Sequence, residues 1–167
     1  MKSYEIYKSL DPAIVNEMLT YFRDEDREVY KTSLATLAQS KKLRAQFVQK
    51  KPIAEQMKWM HQTLKFKQNS EIGEHLLQMW FMKAKSEILV TACDTLEIKH
   101  NGEGFVEGNL PEVLEDNNLQ KAVDTLLEKY GNVMTTLYLR VFNLQVPNGW
   151  SNLSAILESD ERLTLQA

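Results

Sequence analysis

The chain is predicted to be all-α, a multi-helix domain packed around one long central helix. Two observations carry this expectation. Only four prolines and six glycines punctuate 167 residues. Between them the apolar residues recur every three or four positions, the period of a helix with one buried face. Size and composition agree with a folded domain. A chain of this length suits a single domain spanning 1–167, able to bury roughly 70% of the surface its unfolded form exposes. Apolar residues make up 43% and charged residues 26%, the balance of an ordinary globular protein.

Asp11-Pro12 has the form of a helix start, with Asp as the cap and Pro in the first helical position. Ile14, Met18, Tyr21 and Phe22 then form one stripe. A second helix is expected over residues 26–40, with Val29, Tyr30, Leu34 and Leu37 inward. Leu43, Phe47 and Val48 mark a short third helix that must end near Lys51, because Pro52 cannot continue it. Pro52 suits the first turn of a fourth helix whose inner face is Ile53, Met57, Met60 and Leu64.

Residues 70–96 read as the long central helix, about 40 Å at 1.5 Å per residue. Its apolar residues, among them Ile72, Leu76, Leu77, Trp80, Phe81, Ile88, Leu89, Cys93 and Leu96, are too widely spread for one stripe. A helix apolar on most sides is expected to be buried on most sides.

Residues 97–111 break the pattern with Gly102, Gly104 and Gly108. Asn101-Gly102 is a hairpin signal, so a small β-hairpin or a loop is expected near 98–106. Asn109 and Glu112 are placed like a capping pair for a very short helix. Residues 118–130 and 133–144 form two further helices, with Gly131 between them as a helix terminator. Pro147-Asn148-Gly149 is a turn, and Ser151 is expected to cap a last helix ending near Glu158. Leu37 and Leu43, Val113 and Leu119, and Leu157 and Leu163 are each six apart, which would fit one helix-corner-helix joint used three times.

Composition narrows the function classes. A lone cysteine, Cys93, excludes an intrachain disulfide and so a small disulfide-stapled fold. The N-terminal Met-Lys-Ser-Tyr-Glu-Ile-Tyr-Lys has no apolar stretch of signal-peptide length. The densest apolar run, residues 76–82, is far short of a membrane span. A cytoplasmic location without membrane contact is the resulting expectation.

No catalytic or metal site is legible. Of the three histidines, only Glu97-Ile98-Lys99-His100 has the Glu-x-x-His spacing of carboxylate di-iron bundles, and that motif needs a second copy. Zinc wants three or four ligands rich in Cys and His, which one cysteine and dispersed His61, His75 and His100 supply poorly. Cys93 lies near the C-terminal end of an apolar helix, where a thiolate would face the negative helix pole, so it reads as an inert core residue. The glycine-rich loop follows a helix and carries several carboxylates, unlike a phosphate cradle. Met57, Met60 and Trp80 read as core, and Trp59 as a half-exposed flank. No metal, cofactor or catalytic residue is therefore expected.

Charge is segregated. Residues 41–67 hold Lys41, Lys42, Arg44, Lys50, Lys51, Lys58, Lys65 and Lys67 against one acid, Glu55. The whole chain nevertheless carries a net −3. These cations, interleaved with Phe47, Trp59 and Phe66, are the candidate anion-binding residues, able in principle to pair with phosphates while the rings stack on bases. Two other readings compete. The lysines can be solvated outer faces of helices, or they can meet the protein's own acidic stretch, Glu97 to Glu128, within one molecule or across a homo-oligomer. The leading functional expectation is a non-enzymatic helical module that binds a protein partner. Anion or nucleic-acid binding through 41–67 ranks second, and an enzyme with an unrecognised site third.

Overall fold

The computed structural model describes residues 1–166. It is all-α: nine α-helices and a 3-10 turn are its regular elements, with no strand among the described residues. Residue contacts divide the chain into two units, Met1–Trp80 and a second beginning at Phe81. No described helix is long and apolar enough to cross a membrane.

The first unit opens with a helix the sequence pattern does not announce, α1 (Ser3–Ser9). It is too short to show a period, and it buries Ser3, Ile6 and Tyr7, with Leu10 buried at its C-cap. The Glu5 carboxylate accepts the Lys2 backbone N–H at 2.6 Å and closes the first turn. Tyr7 donates its hydroxyl to the Gly73 carbonyl at 2.9 Å, and its own carbonyl accepts the His61 Nε2–H at 3.0 Å.

Helix α2 (Pro12–Glu25) starts as expected, with the Asp11 carboxylate accepting the Ala13 N–H at 2.8 Å. Its buried face is Val15, Met18, Leu19 and Phe22. Ile14 and Tyr21, expected inward, are only half-buried. Helix α3 (Arg27–Ser40) buries Tyr30, Leu34 and Leu37, while Val29 lies on its flank. Helix α5 (Ile53–Leu64) buries Met57, Met60 and Leu64, and packs against α1, α2 and α3. Pro52 stands as its N-cap rather than inside its first turn.

Between α3 and α5 lies α4 (Ala45–Gln49). Here the expected inward set fails: Val48 is fully buried, but Leu43 is 37%, Phe47 58% and Ile53 41% exposed. A helix this short buries one narrow face. Val48 occupies it, and Phe47 stands about 100° around the axis.

The stretch expected as one central helix over 70–96 is two helices. Helix α6 (Ser70–Ala84) ends before Lys85, whose φ of −130° and ψ of 33° are not helical, and α7 (Ser86–Leu96) follows. The break gives a direct account of the over-wide apolar set. Each helix has its own buried side: Leu76, Leu77 and Trp80 on α6, and Ile88, Leu89, Ala92, Cys93 and Leu96 on α7. Met82 can then stay exposed. The longest helical stretch is α8 (Asp116–Asn143), not residues 70–96.

In the second unit α8 packs against both α7 and α9 (Ser151–Ser159). Gly131 interrupts α8 with φ 75° and ψ 175°, so the two expected helices meet at a kink there. The kink has a side effect. Thr136 donates its hydroxyl to the carbonyl four residues back, on Asn132, at 2.7 Å. The corresponding carbonyl for Thr135 belongs to the non-helical Gly131, and the buried Thr135 hydroxyl has no partner. Phe81, Tyr138, Phe142 and Trp150 form an aromatic row with successive centroids 5.4, 5.9 and 4.6 Å apart. Trp150, not Ser151, is the N-cap of α9.

The α7–α8 connection is a loop with one antiparallel bridge, His100 to Val106, rather than a two-stranded ribbon. The short helix expected near Asn109 and Glu112 is absent, and the chain turns there instead. The proposed recurrent joint also fails: of the three pairs only Leu37 and Leu43 sit at a junction between two helices, α3 and α4.

Candidate functional site

The basic segment occupies the helix ends of the first unit. Lys41 is the C-cap of α3, Lys50 of α4 and Lys65 of α5. A helix C-terminus exposes unpaired carbonyls and the negative pole of the dipole, and a cation there is favoured by about 0.3–1 kcal/mol. Lys42 and Lys51 follow directly on two of these caps, and Lys42 takes the left-handed conformation, φ 56°, that turns the chain out of α3. Arg44 is the N-cap of α4, and Lys67 opens the 3-10 turn Lys67–Asn69. Lys58 stands apart on the exposed side of α5. Much of the clustering therefore follows from three helices ending close together in sequence.

Six of the eight cations fall beside two exposed rings. Lys41 places its Nζ 3.3 Å from the centroid of the Phe66 ring, next to Lys65 and Lys67 in sequence. Lys51 stands 5.2 Å above the Phe47 ring, with Arg44 and Lys50 at the two ends of the same short helix. Such contacts orient an ammonium and contribute about 0.5–1 kcal/mol at exposed sites. Among the described residues none of the eight forms an ion pair with a carboxylate.

What holds the α3–α5 connection in place is one buried amide. Gln56 donates Nε2–H bonds to the Gln49 carbonyl at 2.9 Å and the Lys51 carbonyl at 2.8 Å. Its Oε1 accepts the Tyr30 hydroxyl at 3.0 Å. Gln56 thus ties the end of α4 to α3 and α5. It was not a sequence candidate, and only its position opposite the end of α4 reveals the role. The consequence is an exposed surface fixed from beneath. It carries Leu43, Phe47 and Ile53 among Lys41, Lys42, Arg44, Lys50 and Lys51.

The other chemically interesting residues resolve into structural roles. Cys93 is 2% exposed, burial and the neighbouring Asp94 push its thiol up to about 11, and its Sγ–H points to the Gly104 carbonyl at 3.7 Å. A thiol so held is a poor nucleophile. His100 pairs with Asp94, at 2.7 Å, rather than with Glu97 of its sequence motif. Its Nδ1 accepts N–H bonds from Gly102 and Gly104, both at 3.1 Å, so Nε2 carries the proton. Glu97 instead accepts from the Asn118 side chain at 3.2 Å. Burial holds His61 below the usual imidazole range. No group of three or more metal-binding side chains is gathered among the described residues.

The recesses do not assemble chemistry either. One, of about 1050 Å³ in the first unit, mixes Lys2 and Lys67 with Glu71, Glu74 and His75. Its buried amide, Asn69, is already bonded to the Thr63 carbonyl at 2.8 Å. Neither the family models of known proteins, nor curated protein sequences, nor solved structures provide a match to this chain.

Proposed function

We infer that the chain is a non-enzymatic helical module that binds a protein partner, and that its working surface is the α3–α5 connection. One observation carries this reading. Leu43, Phe47 and Ile53 are exposed among five cations that have no carboxylate partner, on a connection anchored by Gln56. Folding leaves a phenyl ring more than half in water only at a cost, and burying it on association recovers that cost. Aromatic residues with arginine among them are the side chains that dominate protein–protein contacts.

Anion binding through the eight cations is the second reading, favoured by the same unpaired charges. Base stacking is less well supported, because Lys41 and Lys51 already stand over the Phe66 and Phe47 rings. The two readings separate in one experiment. Photo-crosslinking from the exposed neighbouring position 46, with residue 47 either Phe or replaced by Asp, should yield a protein adduct that Phe47→Asp loses. The proposal fails if the adduct set is unchanged by the substitution. It also fails if the only binding found is a salt-sensitive shift of a labelled single strand that Lys50→Glu/Lys51→Glu abolishes.

A further inference from the structure

The module's own second unit offers a surface of the opposite kind. The α7–α8 connection, residues 97–115, carries Glu97, Glu103, Glu107, Glu112 and Glu115 against Lys99. It contains a recess of about 360 Å³ lined by Ile98, Pro111 and Val113, with Glu97, Glu107 and Glu115 around it. Val113 is 76% exposed, the most exposed large apolar residue described. Of the carboxylates around the recess, Glu115 caps α8 by accepting the Asn117 and Asn118 N–H groups at 3.1 and 2.7 Å, Glu97 accepts from the Asn118 side chain at 3.2 Å, and Glu107 meets only Lys99 at 3.5 Å, so the three negative charges there face one cation. The Glu103 and Glu112 carboxylates have no partner among the described residues.

Resting on the reading of the α3–α5 connection as an interaction surface, we propose that its partner is a second copy of this chain. The Phe47 ring of one copy enters the 97–115 recess of the next, and Arg44, Lys50 and Lys51 face its carboxylates. A cavity of about 150 Å³ accommodates a benzene, so the recess has room for one phenyl ring. The donating connection, residues 41–53, has five cations and no acid, and the receiving one is acidic, so the charges complement each other. Knob and recess lie on different parts of the chain. Each copy therefore donates one knob and receives one, as in a reciprocal pair, a ring or an open series.

Sedimentation velocity of the full chain over a wide concentration range, at low and at high salt, tests this. Wild type should associate with rising concentration, and high salt should weaken the association because the rim contacts are screened. Phe47→Ala should weaken it at least tenfold with an unchanged melting temperature, since the ring is exposed in one copy. Lys50→Glu/Lys51→Glu and Glu107→Lys/Glu112→Lys should each be monomeric. Mixed together, these two variants should form a one-to-one complex, because each retains one native half and the reversed halves attract. A wild type monomeric throughout overturns the proposal, as does association lost in only one of the reversed variants or a mixture that stays monomeric. A monomeric wild type that still yields a Phe47-dependent adduct with a different protein would remove the self-contact and leave the interaction surface standing.

Discussion

The two long connections of this protein differ in where their polar groups go. In the α7–α8 connection the side chains turn back on the loop itself. His100 accepts two backbone N–H groups and holds Asp94, Ile98 and Leu114 are buried, and Asn101 accepts from Glu103 and Phe105. Trp150 donates its indole N–H to the Pro111 carbonyl at 2.9 Å. The α3–α5 connection is anchored from below by Gln56 and leaves its side chains facing outward. A loop satisfied from within holds a fixed shape, here the walls of the acidic recess, whereas one satisfied from beneath presents outer side chains that can enter another molecule.

Substitutions should break the first connection and spare the second. The largest effect is expected at Gly104. It has φ 86°, and a Cβ there would lie 2.4 Å from the Leu89 Cβ. Gly104→Val should destabilise by about 2–4 kcal/mol from backbone strain and overpacking, measured by urea unfolding. His100→Ala removes the acceptor for two backbone donors, and about 1–3 kcal/mol should be lost. If His100→Ala unfolds at the wild-type midpoint, the loop is not held from within.

Gln56→Ala tests the anchor of the second connection. It leaves the Gln49 and Lys51 carbonyls and the Tyr30 hydroxyl without their present partner. The expected cost is about 1–2 kcal/mol, with faster amide exchange across residues 45–52 as the local readout. The smallest effect belongs to Phe47→Ala, below about 0.5 kcal/mol on thermal unfolding, as for surface substitutions generally. A loss approaching that of a core aromatic, measured at dilution where the chain is monomeric, would mean the ring packs within its own copy and the contrast between the two connections is false.

Several features were legible because they are local. Asp11-Pro12 begins a helix wherever it is placed, and the capping bond is there. Of the stripe Ile53, Met57, Met60 and Leu64, the last three need only the helical period to point one way and are buried, while Ile53 at the helix start is exposed. The eight cations of 41–67 were visible as a cluster from composition alone. What the cluster does was not, because that depends on where helices end. Lys41, Lys50 and Lys65 become C-caps only once α3, α4 and α5 stop beside them.

By itself, then, the sequence determined the helical class, the positions of most helices and the separation of charge, all consequences of short-range periodicity and composition. Tertiary structure decided the rest. It broke residues 70–96 at Lys85, since one straight helix cannot bury an apolar set that surrounds it, and two helices can each bury a side. It let Val48 occupy the inner face of α4 and left Phe47 outside, because a helix of five residues has space for one inward anchor. It also turned Gln56 inward, where the carbonyl at the end of α4 needed a donor and the Tyr30 hydroxyl on α3 an acceptor. Each of these outcomes depends on residues distant in sequence competing for the same buried space, a competition that no local pattern records.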